Sequence, residues 1–101
     1  MSRIEDLRAL SEEVLAFFRG LMDGTIDYSF DNLNCALKTD ICEVFDAIAG
    51  DFVINIECGN DDKVTNEQLQ ALHDNLIAFG EEYNVKEAAT LAEKVKALID
   101  S

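Results

Sequence analysis

Phe52-Val53-Ile54-Asn55-Ile56 decides the fold class of this chain. By residue type the run is rich in β-branched side chains and suits an extended strand. No other stretch offers a partner strand, and a lone strand is not stable. The run is therefore read as a helix end or a buried loop, and the chain as all-α.

Upstream of it, Phe30, Leu33, Leu37, Ile41, Val44, Phe45, Ile48 and Phe52 recur with helical spacing. They predict a helix that starts at Asp27 or Ser29 and spans about 29–57. It either ends near 49 or kinks at Gly50 and continues toward Cys58-Gly59. Cys35, Cys42, Ala49 and Val53 form a weaker apolar stripe on its other flank, which places this helix centrally among its neighbours.

The remaining helices announce themselves by their starts. Ser2-Arg3-Ile4-Glu5 is a capping box, in which a hydroxyl and a carboxylate satisfy free backbone N–H groups reciprocally. Ile4, Leu7, Leu10, Val14, Leu15, Phe18, Leu21 and Met22 then carry a helix over 2–23. Thr65-Asn66-Glu67-Gln68 opens a second box, followed by Leu69, Leu72, Leu76 and Phe79, for a helix over 65–80 closed by Gly80. Asn84-Val85-Lys86-Glu87 opens a third, with Val85, Ala88, Ala89, Ala92, Val95 and Ile99 facing inward over 84–100. Four helices with short connections predict a small antiparallel four-helix bundle, one acidic domain over 1–101.

Composition narrows the setting. Apolar residues make up 49% of the chain, which excludes the low-hydrophobicity signature of disorder. No apolar run approaches the roughly 18 residues of a membrane span, and Met1-Ser2-Arg3-Ile4-Glu5-Asp6 lacks the uninterrupted apolar stretch of a signal peptide. Cys35, Cys42 and Cys58 are odd in number and fit no recognised metal spacing. The expected setting is the cytoplasm, with reduced thiols and no membrane contact.

Charge is the strongest functional signal. The chain carries 21 acidic and 8 basic residues, a net −13 on 101 residues. From Asp23 to Tyr83 fourteen carboxylates face only Lys38 and Lys63, which places −12 of the −13 there. Such a field repels nucleic acid and anionic membrane and attracts basic protein surfaces, with steering that salt screens. Asp27, Asp31, Asp40, Glu43, Asp46, Asp61 and Asp62 are the candidate partner-binding residues. The expected partner is the basic surface of another protein, a nucleic-acid-binding one above all, with no direct contact to nucleic acid. Proteins of this size and charge include DNA-mimic inhibitors of the anti-CRISPR and anti-restriction kinds and nuclease immunity proteins; the link is physical analogy. A second class is a self-associating bundle that uses Phe17 and the Cys35–Cys42 stripe.

His73 is the single imidazole. Leu72-His73-Asp74-Asn75-Leu76-Ile77-Ala78-Phe79-Gly80, followed by Leu91-Ala92-Glu93, resembles histidine-phosphotransfer domains over about 25 residues, which implies phosphoryl transfer through His73. Those domains carry Lys three and Gly four residues after the histidine, where this chain has Leu76 and Ile77. On a helical wheel His73 falls about 40° from Leu69, inside the apolar arc, and so is expected to be partly buried.

Other chemistry has little support. Cys35 and Cys42 would stand roughly 10.5 Å apart along one helix, too far for one zinc or a disulfide. All three cysteines are expected to act as small apolar filler. Glu57–Gln68 departs from a calcium loop at its first, third, sixth and twelfth positions. There is no phosphate loop, nucleophile elbow or metalloprotease motif, so no catalytic residue, metal or cofactor is expected.

Overall fold

The decisive run is helical. The computed structural model describes residues 3–26 and 43–100, and in it Phe52–Ile56 lies inside a helix. We label the helices α1 (Arg3–Asp23), α2 (Asp51–Glu57), α3 (Asn66–Tyr83) and α4 (Lys86–Asp100). A π-helical turn, Asp46–Gly50, leads directly into α2, and a short 3-10 turn, Asp61–Lys63, precedes α3. No strand occurs among the described residues, and the fold is a small all-α bundle. The predicted part 29–42 of the second helix, including Cys35 and Cys42, lies outside the described residues.

Packing overrides strand propensity in α2. Phe52, Val53 and Ile56 are buried at helical spacing, while Ile54 points outward, 58% exposed. Burial of about three large side chains, each giving roughly 1.5–3 kcal/mol, outweighs the few tenths that a β-branched residue loses in a helix.

The same residues account for the π-turn. Val44, Ile48, Phe52 and Ile56 repeat every four residues, as do Phe45, Ala49 and Val53. A strict α-helix of 3.6 residues per turn would carry this four-residue repeat progressively off the core face. One wider turn restores it, and all seven residues end up buried or half-buried. The helix thus passes Gly50 without ending there, at φ −55 and ψ −49.

α2 stops at Cys58. Gly59 adopts φ +77, the Asn60 N–H donates to the Asn55 carbonyl at 2.7 Å, and the Gly59 N–H donates to Ile56 at 3.2 Å. This paired closure satisfies carbonyls left free at the helix end and requires a left-handed residue, for which glycine has no steric penalty. Cys58 is exposed at that end, which corrects its reading as apolar filler.

Thr65 caps α3 as the sequence predicts, its hydroxyl accepting from the Gln68 N–H at 3.2 Å. Thr65→Ala is expected to lower stability by about 1 kcal/mol. Urea unfolding followed by circular dichroism checks it, and a loss below a few tenths would deny the cap its role.

Two boundaries differ from the sequence reading. Gly80 does not close the third helix, which runs on to Tyr83, and Asn84 ends it in the left-handed conformation at φ 56. Asn84 therefore terminates α3, and α4 begins two residues further on, at Lys86. Gly80 serves closeness: a Cβ there would stand 3.0 Å from the Ala88 Cβ and 3.0 Å from the Val85 carbonyl oxygen. The absence of a side chain is what lets α4 fold back tightly on α3.

The core unites all four helices. Leu7, Leu10, Val14 and Leu21 of α1 meet Leu69, Leu72 and Leu76 of α3 and Ala88, Ala92 and Val95 of α4. An aromatic cluster fills one part of it. Phe17, Phe18 and Phe79 pack mutually, Phe45 stacks edge-on to Phe18, and Tyr83 joins Phe79. Phe17 is only 5% exposed, so it belongs to the core and offers no self-association surface. At the rim, Lys94 of α4 donates to Glu13 of α1. Both ends of that pair are about half exposed, so it contributes at most about 1 kcal/mol.

Candidate partner-binding surface

Of the seven acidic candidates, Asp27, Asp31 and Asp40 lie outside the described residues. Glu43 and Asp46 are exposed and stand one turn apart in the helical stretch that enters α2. Asp61 begins the 3-10 turn, and Asp62 follows it, exposed. Glu43 and Asp46 thus share one end of the 43–57 helical stretch, while Asp61 and Asp62 lie beyond its other end, roughly 15 Å further along the axis. Along the chain, the described candidates fall into two groups, Glu43 with Asp46 and Asp61 with Asp62.

One more carboxylate, Asp51, joins the first group. Asp46 and Asp51 both line a cleft of about 140 Å³ between the π-turn and α3. Gln68 and Asn75 line its α3 wall, and Gly50 and Leu72 contribute to its lining. Asp51 and Asn75 carry no distinguishing pattern in the sequence, and Gln68 stands out there only as part of the Thr65 capping box. Their convergence depends on how α3 packs against the π-turn, and no spacing along the chain encodes that.

A third group has a visible spacing. Glu67, Asp74 and Glu81 of α3 are exposed and seven residues apart, so they form a row at roughly 10.5 Å intervals on the side away from the core. Among the described residues, Glu43, Asp46, Asp51 and Asp62 have no cationic partner. Among the described residues, nothing neutralises their charge.

Asp74 is engaged locally. Its Oδ1 lies 3.0 Å from His73 Nδ1 and accepts from Gln70 Nε2 at 2.9 Å. The His73 hydrogen bond foremost, and then the Gln70 one, hold its carboxyl below the usual carboxylate range. The His73 side chain is 24% exposed, partly buried as the helical wheel predicts. Asp23, at the end of α1, is likewise held low by hydrogen bonds from Thr25, whose backbone N–H donates to Oδ1 at 2.9 Å.

Among the described residues, no three His, Cys, Asp or Glu side chains gather to hold a metal ion. Among them, too, no helix is long and apolar enough to cross a membrane. Comparison of the chain with protein-family models, with curated proteins and with solved structures finds no match.

Proposed function

We propose that this chain is a non-catalytic, cytoplasmic binding protein whose acidic middle occupies a basic, nucleic-acid-binding surface of a partner protein. Its type would be that of the DNA-mimic inhibitors, anti-CRISPR, anti-restriction or immunity. The observation that carries the reading is the set of exposed carboxylates at Glu43, Asp46, Asp51 and Asp62, none with a cationic partner among the described residues. Like charges held together on a folded surface oppose folding, and a basic partner removes that cost on binding. Duplex DNA presents about one charge per 1.7 Å of axis, and a protein surface that reads phosphates responds to carboxylates in the same way.

The test is a panel of DNA-cleaving enzymes, restriction and RNA-guided, assayed for cleavage and for DNA displacement with the chain added. Against the enzyme it inhibits, the triple variant Glu43→Lys, Asp46→Lys, Asp62→Lys is expected to associate about tenfold more slowly or worse at low salt, since rim charges act chiefly on the on-rate. The three positions are exposed, so the fold is expected to survive. Inhibition that persists unchanged in the triple variant at low and high salt would remove the proposal, as would a panel in which no enzyme is inhibited.

A further inference from the structure

We propose that the cleft between the π-turn and α3 is the anchor point of the acidic surface, and that it receives a single arginine side chain from the basic partner. This rests on the binding function proposed above and specifies where its most selective contact lies.

The first support is chemical. Asp46 and Asp51, two carboxylate residues, line the cleft from the π-turn and α2, and Gln68 and Asn75, two carboxamide residues, line it from α3. A guanidinium offers five N–H donors in a fixed planar fork, which suits acceptors held on two sides better than the compact ammonium of lysine does. Ala47, Ile48 and Ala71 give the same cleft apolar lining, against which the methylene stem of an arginine packs.

The second support is Gly50. A glycine inside a helix weakens it relative to alanine, and such a residue normally has a conformational or a steric reason to be there. Gly50 has neither. Its φ and ψ are ordinary helical values, and a Cβ built on it would meet only Asp46, with Oδ1 at 3.5 Å, an unstrained contact. This contrasts with Gly80, where the neighbours leave no room. A side chain at position 50 would instead project into the cleft beneath the Asp46 carboxylate. Keeping glycine there keeps the cleft open, which accounts for a residue that the fold alone does not require.

The experiment uses the full chain, isotope-labelled, titrated with acetyl-arginine-amide and followed by amide chemical shifts. Saturable shifts confined to residues 46–52 and 68–75 are expected, weakened about tenfold or more by Gly50→Leu and by Asp46→Asn with Asp51→Asn, since each charged hydrogen bond lost is a large fraction of so small a ligand's affinity. Gly50→Ala reports on the fold and is expected to melt at or above the parent temperature. Shifts spread over Glu67, Glu81 and Glu82 without saturation would overturn the proposal, and so would an undiminished affinity in Gly50→Leu. If Gly50→Leu loses helical signal, the paired Asn variant decides. Gly50→Leu keeps every charge, so a variant that still inhibits its enzyme fully, while the triple lysine variant does not, refutes the cleft and leaves the electrostatic function standing.

Discussion

Phe79→Ala is expected to unfold a large fraction of the molecules at moderate temperature. Phe79 is 4% exposed and its ring lies 6.1 Å from Phe17, 6.1 Å from Phe18 and 4.8 Å from Tyr83, centroid to centroid. Truncation removes the transfer free energy of the ring and leaves a cavity among three aromatic neighbours, a loss of about 3–5 kcal/mol. A domain of this length has a total stability of roughly 5–15 kcal/mol, so the loss removes a substantial share of it, and all of it at the low end. Urea titration followed by circular dichroism measures the difference from the parent. A loss under about 1 kcal/mol would mean that the aromatic cluster is not the mechanical centre of the bundle.

Gly80→Val is expected to be the second most damaging change. The Ala88 Cβ and the Val85 carbonyl oxygen each stand 3.0 Å from where a Cβ would go, and the second of these is backbone that cannot rotate aside. Forcing α4 away from α3 costs about 1–3 kcal/mol as overpacking. Gly80→Ala is milder, since alanine regains about 1 kcal/mol of helix propensity against the same contact. At roughly 4–8 °C per kcal/mol for a small domain, the valine variant should melt well below the parent in a thermal scan, with the alanine variant between them. A valine variant that melts at or above the parent would show that the two helices have slack at this crossing.

The helices of this chain were legible where a side chain marks the boundary by itself. Thr65 is one such case: its hydroxyl needs only the Gln68 N–H three residues on, and the local sequence contains both. Gly80 is the opposite case. A glycine that ends a helix and a glycine that admits a neighbour look alike in one dimension, and the deciding atoms belong to Val85 and Ala88 across the turn. The π-turn falls between the two. The four-residue repeat from Val44 to Ile56 is written in the sequence, but it is easily absorbed into a 3.6-residue reading, because the two differ by less than half a residue per turn.

The acidic surface divides in the same way. That Glu43, Asp46 and Asp62 would be exposed follows from their type and from the few cations nearby. That Asp46 and Asp51 would face Gln68 and Asn75 across a cleft does not, since it depends on residues about twenty positions apart meeting through packing. Cys58 misled because a small thiol is usually buried, whereas here it occupies the solvent-facing end of α2.

The tight turn at Asn84 and Val85 also has a kinetic consequence. Joining α3 to α4 closes a loop of two residues, whereas bringing α1 against α4 closes one of about 60. By the logarithmic dependence of closure entropy on length, the second step is harder by about 3 kcal/mol. The C-terminal hairpin is thus the portion that assembles first, with Gly80 and Ala88 already in register. α1 precedes that hairpin in the chain and packs on α2 as well, but its core face is complete only once α4 is in place.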